Sequence, residues 1–471
     1  MSKLVAKFGG LSLSSAQALS QIAHIILTAH TEWEHVLVVV SAIEGVTDQL
    51  IETIYDAEIS DKRAYRGKVS NIRTRHLAIM DELPLLKTEY STLQSELDRL
   101  FNELITLLEG FGKLDVALQP AKREGIRTIG ERLSARLVAA LLRHHHIRSV
   151  AMDANHLIRT NHQFVNATIN LNATKQLVEE SLIPLLERNI TPVITGFMGA
   201  DEHGNITTLG RIGTDYTATA VAYAIQADQV TLWMDTPGIL SAPQSIPSVH
   251  PIQQLTYGEA SDLALLGNHL LHPKTILPAR LAHIPLHIQN IHLPQVIGTI
   301  VRHSDAESAQ ARMRAVVEMN AIEISIPNAQ HLVEVIPQIG SLFYATFQVL
   351  PSVLMSIQGS FRSKVYLGVP ATLGLSATEQ LMDVLEKRMT DTKELTRVAL
   401  ITLIGSNIQY CVPCMMKALH ALEGLSLRFI NTSSSHDSMS VVVAPQERHE
   451  ALARLHALLT EVPPTTDPQD Q

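Results

Sequence analysis

At 471 residues, 46% of them hydrophobic and 18% charged, the chain can build roughly two to four globular cores. A net charge of −9 argues against a polyanionic partner such as nucleic acid, and aromatics at 4% offer few stacking platforms for single strands. No apolar stretch approaches the roughly 18 residues of a membrane span, the start MSKLVAKFGG lacks an apolar signal core, and two cysteines supply no disulfide framework, so a cytoplasmic setting is expected.

In chain order, Leu4–Phe8 reads as a short buried strand ending at Gly9-Gly10, Ser14–Thr28 has helical spacing, and Val36–Val40 suits a strand covered on both faces. Strand, helix, strand is a βαβ unit and implies a parallel sheet. The alternation returns around 149–152, 192–195, 230–234 and 285–288. Between about 55 and 125 the pattern changes: Leu86, Tyr90, Leu93, Leu97, Leu100, Leu104 and Leu107 mark an amphipathic helix within a helical insertion. The polar stretch 301–313 places a boundary. Beyond it short strands are expected at 322–326, 353–357, 364–368, 398–404, 425–430 and 439–443, with helices near 379–389, 412–422 and 447–460. Strand-helix-strand-strand order, used twice, predicts two small α+β modules. The tail from Pro463 has no hydrophobic face and is expected to be disordered.

Four segments carry chemistry. Lys7-Phe8-Gly9-Gly10 sends a lysine out of a strand into a double glycine, where N–H groups can approach a phosphate. Ser41 to Thr47 (SAIEGVT) follows the second strand, where parallel sheets bind ligands; Thr47 can hydrogen-bond a small acid or simply cap the next helix. In Gly130-Glu131-Arg132-Leu133-Ser134, which opens a helix, Glu131 can hold an ammonium group or merely answer the helix dipole. The richest segment is Gly196–Ala218, GFMGADEHGNITTLGRIGTDYTA, where a lone Arg211 stands among glycines and threonines ahead of a helix. Glycines there admit a ligand to the backbone, and arginine forks onto carboxylate or phosphate.

Taken together, KFGG near residue 7, SAxxGVT near 41, GERLSARL at 130, GFMG…TTLGR…TDYTA at 196 and LHP at 271–273 resemble, in order, the aspartate kinases of the amino-acid kinase superfamily. The resemblance covers essentially the whole chain. It implies an α/β fold, the three-layer amino-acid kinase type with a mainly parallel central sheet, over 1–300, with the helical insertion at 55–125. Two ACT-type (ferredoxin-like) modules follow at 314–392 and 396–462, then a tail at 463–471. The activity implied is transfer of the γ-phosphoryl of ATP, with Mg2+, to the β-carboxylate of L-aspartate, opening lysine, threonine and methionine synthesis. A homodimer or higher assembly through the ACT-like modules is expected. The acceptor is already ionised at neutral pH, so no general base is needed, and catalysis reduces to alignment and charge neutralisation.

Residue by residue, the resemblance implies that Lys7 meets the transferred phosphoryl group, lined by Gly9 and Gly10, and that Asp215 organises the site near Lys7. Thr47, Glu131, Phe197, Arg211 and Thr214 would hold the amino acid, with Arg211 on its α-carboxylate. Asp235, Gly238, Gln244 and His269 would complete the nucleotide side, and no protein metal ligands are expected. Departures cluster on that side. The family's segment resembles TDVxGIYTTDPR; here Met234 to Gln244 keeps Asp235, Pro237 and Gly238, has Leu240 for the aromatic, lacks an aspartate and ends in Gln244 for arginine. His269 stands for the ATP-facing lysine, Leu11 for a Thr or Ser, and Ile212 for a glycine. Charge-assisted bonds to phosphate contribute about 1.5–3 kcal/mol each, so losing two weakens nucleotide binding by roughly two to four decades. Two further readings follow: a weakened, amino-acid-binding regulatory protein, or a kinase for an aspartate analogue. The shortened segment Pro327–Leu332 puts feedback by lysine or threonine in doubt. Cys411-Val412-Pro413-Cys414 is expected to be structural rather than zinc-binding or redox, and His144-His145-His146 a solvated helix end.

Overall fold

The computed structural model describes residues 2–111, 119–267, 270–303, 311–327, 332–347, 351–370, 373–374, 376–389, 394–432 and 437–460. The chain forms two compact units, residues 1–239 with 271–303 and residues 240–270 with 304–471. Among the described residues no helix is long and apolar enough to cross a membrane.

The first unit opens with β1 (Lys3–Phe8), α1 (Ala16–Glu32) and β2 (His35–Val40), with Leu4 to Phe8 opposite Val36 to Val40 in parallel register. Ser15 starts α1 by accepting the Ala18 N–H at 3.1 Å, the usual remedy for an orphan helix donor. Then come α2 (Val46–Glu58), α3 (Lys62–Glu82), α4 (Lys87–Glu109), α5 (Gln119–Arg127) and α6 (Ile129–His144). In α4, Leu93, Leu97, Leu100 and Leu104 are buried, the apolar stripe seen in the sequence.

β3 (Ser149–Met152), α7 (Leu171–Glu187), β4 (Thr191–Thr195), the hairpin β5 (Met198–Ala200) and β6 (Ile206–Thr208), α8 (Gly213–Ile225) and β7 (Gln229–Met234) follow. β8 (Gln254–Thr256) and α9 (Tyr257–Leu266) lie in the excursion that belongs to the second unit. The chain returns through α10 (Pro273–Leu281), β9 (Leu286–Asn290) and β10 (Thr299–Arg302). The central order is β3-β4-β2-β1-β7-β9-β10, parallel except between β9 and β10. Side chains alternate across the sheet. Leu4, Ala6 and Phe8 join one core with α1 and α6, which leaves Val5 and Lys7 on the opposite face, where α8 packs.

The second unit holds β11 (Ala315–Pro327), α11 (Leu332–Phe347), β12 (Ser352–Ile357), β13 (Arg362–Val369), α12 (Ala377–Arg388), β14 (Glu394–Ile404), α13 (Val412–Ala421), β15 (Phe429–Thr432), β16 (Ser438–Val443) and α14 (Arg448–Thr460). These form one antiparallel sheet, β12-β13-β11-β14-β16-β15, joined at its middle by β11 and β14. One core gathers Ile322, Val335, Ile339, Leu367 and Leu381; another gathers Ile401, Val441, Ala418 and Leu452. Helix α11 is absent from the sequence expectation, because it carries Pro337 in its interior; it nonetheless buries one face through Leu332, Val335, Ile339 and Phe343. The strand expected at 425–430 is instead β15, starting at Phe429. Residues 463–471 and most of the segment 327–332 lie outside the described residues.

Candidate active site

The site lies at the C-terminal ends of β1, β2 and β4 and the start of α8. Lys7 leaves the α8-facing side of β1, and its Nζ stands 2.7 Å from Asp215 Oδ1 in the first turn of α8. Both side chains are nearly buried, at 10% and 3% exposure. A Cβ added to Gly9 would stand 3.5 Å from Lys7 Nζ, so the ammonium lies beneath the Gly9 backbone. Gly10 is obligatory: a Cβ there would meet the Ala42 carbonyl at 2.7 Å and the Glu44 N–H nitrogen at 3.1 Å. That close approach joins the loops after β1 and β2, which Glu44 N–H also ties to the Gly10 carbonyl at 3.2 Å. Gly9 thus leaves the Lys7 ammonium without a side chain over it, and Gly10 lets the loops after β1 and β2 touch.

Beside it, Ser41 Oγ donates to Thr214 Oγ1 at 2.9 Å. A Cβ on Gly196 would sit 2.3 Å from Thr214 Cγ2, so Gly196 exists to admit Thr214. Phe197 and Ile212 both hold left-handed backbone, at φ 68° and 61°. That conformation is costly for a β-branched residue, and it sits where the resemblance led us to expect a glycine. Gly213 lets the helix start close on Phe197, since a Cβ there would meet that ring at 3.2 Å. Arg211 is exposed, and among the described residues no carboxylate pairs with it.

The opposite wall is α6. Gly130 packs on Ala42 and Val46, where a Cβ would meet Ala42 Cβ at 2.6 Å. Glu131 is buried at 3% exposure. Burial pushes its carboxyl up to about 8, against the pull of backbone N–H groups of Glu131 and Ala42. Its Oε2 has no hydrogen-bond partner among the described residues, an open acceptor in a buried place. Arg132, the next residue, is clamped by Glu103 of α4 at 2.6 Å and Asp153 at 2.9 Å, which fixes the helix that presents Glu131. Thr47 is half-buried in the first turn of α2; it does not cap that helix, since Gly45 does so at φ 76°.

Of the residues expected to face the nucleotide, Asp235 follows β7 and lies 3.3 Å from His292. Gly238, at φ 126°, makes room for Thr299, whose Oγ1 accepts the Ile239 N–H at 2.8 Å. Gln244 is exposed in the second unit, and His269 lies outside the described residues. Sequence reasoning did not single out Ser41 or Lys274. Lys274 Nζ donates to the Asn166 carbonyl at 2.9 Å, and burial pushes its pKa down. The only signal for either was position within, or just past, the SAxxGVT and LHP motifs. Cys411 and Cys414, expected to be structural, are bonded to each other, because the first turn of α13 brings their Cα atoms to 5.2 Å. His144–His146 do close the end of α6.

Residues 2–290 match the Amino acid kinase family. Lysine-sensitive aspartokinase 3 of Escherichia coli is 27% identical, over 97% of this chain and 99% of its own. Aspartokinase 2, chloroplastic, of Arabidopsis thaliana is 28% identical, over 98% of this chain and 85% of its own. The crystal structure of E. coli aspartokinase III in complex with aspartate and ADP superposes with a TM-score of 0.78 at 26% identity, covering 97% of this chain and 99% of that one. A parallel three-layer unit, an antiparallel α+β unit and these likenesses agree: the chain belongs to the amino acid kinase family.

Proposed function

We propose that the chain is an aspartate kinase, moving the γ-phosphoryl group of ATP to the β-carboxylate of L-aspartate to give 4-phospho-L-aspartate. The observation that carries this reading is the buried Lys7–Asp215 pair set beneath the Gly9 backbone, with exposed Arg211 leading into the same helix. Lys7, paired with Asp215, would meet charge developing on the transferred group, and the Gly9 and Gly10 backbone would line its path. Arg211 would fork onto the α-carboxylate of aspartate. Glu131 offers its open oxygen to the ammonium group, with Thr214, Thr47 and Phe197 shaping the remainder. Mg2+ is the expected companion of ATP, neutralising charge on its phosphate oxygens, and enters as part of the nucleotide substrate.

On this reading residues 1–300 are the catalytic part, with 55–125 its insertion. Residues 314–392 and 396–462 are ACT-like modules that pair copies into a homodimer or higher assembly in the cytoplasm. Asp235, Gly238, Gln244 and His269 would face the nucleotide. Gln244 and His269 replace permanent cations, which supports slower or altered nucleotide use and keeps a second reading: a weakened, amino-acid-binding regulatory protein. Trapping the acyl phosphate with hydroxylamine separates the two. Hydroxamate formed only with both aspartate and ATP supports the kinase, whereas none above background across several acids and nucleotides sinks it.

A further inference from the structure

We propose that His162, Glu202 and His203 form a three-ligand site for a transition-metal dication of the Zn2+ class, with Asp201 as the carboxylate that orients His162. The three residues come from two segments of the first unit. His162 lies on the loop after β3, and Glu202 and His203 form the turn between β5 and β6. Their donor atoms all lie within 4.8 Å of one another. His162 Nε2 is 3.2 Å and His203 Nε2 is 3.7 Å from the same atom, Glu202 Oε1, and the two rings stack at 5.5 Å. Metal–ligand bonds of about 2.1 Å in a tetrahedron place neighbouring ligand atoms roughly 3.4 Å apart, between those two distances.

The outer shell is built as well. His162 Nδ1 faces Asp201 Oδ2 at 3.6 Å, which leaves Nε2 for the metal side. Asp201 is 2% exposed and cannot turn away. Its Oδ1 accepts the His203 and Asn205 N–H groups, each at 2.9 Å, and its Oδ2 accepts Asn205 Nδ2 at 3.0 Å. A ligating imidazole whose other nitrogen meets a fixed carboxylate is the usual support of such sites. Two imidazoles and one carboxylate favour Zn2+, Ni2+ or Co2+ over Mg2+, which prefers an all-oxygen shell.

The backing is rigid on both sides. Thr160 N–H donates to the Ala200 carbonyl at 2.9 Å, and the Thr160 and Thr207 hydroxyls bond at 2.7 Å. The same loop carries Asn166, which fills the space a Cβ on Gly210 would need, one residue before Arg211. A bound dication therefore pins the hairpin to the loop on which the Arg211 segment rests.

The test is titration of the untagged full-length chain with ZnCl2 alone, followed by calorimetry, with the visible spectrum of Co2+ as a second readout. One equivalent is expected to weaken at least ten-fold in His162→Ala and in His203→Ala. It should persist in a variant with His144, His145 and His146 all changed to Ala. Asp201→Asn should weaken it by roughly 10- to 100-fold without changing the stoichiometry. All three ligands are exposed, so melting of the metal-free His162→Ala and His203→Ala variants should match the parent. No saturable equivalent in the parent chain, or binding unchanged in both single variants, overturns the proposal.

Discussion

The residues proposed to hold the substrate and those proposed to face the nucleotide are set in opposite surroundings. Around α8 the polar groups are buried and interlocked: Lys7 on Asp215, Ser41 on Thr214, Thr214 in the space left by Gly196. In the stretch after β7, Asp235 and Gln244 are exposed, and the only ion pair of Asp235 among the described residues is with an exposed histidine. Buried groups hold one geometry because any other leaves a charge or hydroxyl unpaired, whereas exposed ones exchange partners with water at little cost. On the proposed reading, substrate binding therefore depends on mutual fit, and nucleotide binding on the identity of a few independent side chains.

The sharpest way to break this contrast is at Lys7. Lys7→Ala should strand Asp215 and cost about 3–5 kcal/mol of stability, along with roughly 10²- to 10³-fold in kcat. Lys7→Met with Asp215→Leu should recover most of the stability in urea unfolding while remaining inactive. Equal stability of the single variant and the parent would show that the pair is not buried as described. Next, Gln244→Arg with His269→Lys should tighten ADP binding by roughly two to four decades in calorimetry, with melting unchanged. No tightening would mean that the nucleotide half is not set by these cations.

Smaller, and confined to substrate, Arg211→Ala should raise the KM for aspartate roughly 10- to 150-fold, with stability held within about 0.5 kcal/mol because the side chain is exposed. Smallest is a pH effect at Glu131. Its carboxyl is raised to about 8 in the folded chain, above its ordinary value of 4.5. The folded state therefore binds the extra proton, and this contribution to stability, full below 4.5, is lost as pH rises through about 8. Glu131→Gln should flatten that decline in melting temperature. An aspartate ammonium needs the ionised form, so KM for aspartate should fall between pH 6 and 8 in the parent and not in Glu131→Gln. A parent KM independent of pH would remove Glu131 from the substrate.

Much of the framework was legible in the residues. The β-branched run of β2 and the leucine stripe of α4 announce themselves, because each pattern matches the period of its element. Helix α11 does not, since Pro337 in its interior reads as a helix breaker, although Leu332, Val335, Ile339 and Phe343 keep a helical spacing. For the candidate site, residue types at the ends of β1 and β4 marked loops that the fold brings together at the start of α8. Local spacing misplaced the start of α2, where Gly45 in left-handed backbone, not Thr47, is the cap. The roles of Ser41, Gly130 and Gly196 depend on contacts between segments that lie 173, or about 90, or about 20 positions apart, and no local pattern encodes such contacts. The same reason hid His162 with Glu202 and His203, which meet only after the hairpin folds onto its neighbouring loop.

The fit between Gly196 and Thr214 has a consequence for how this sequence can change over time. One position has no side chain because the other's side chain occupies its place, and Thr214 is in turn anchored by Ser41. The two constrain each other: a methyl group at 196 collides with Thr214, and a residue without a hydroxyl at 214 abandons Ser41. Three positions separated in the chain are thus coupled: a hydroxyl is kept at 214 for Ser41, and a side chain at 196 is admitted only if 214 gives way.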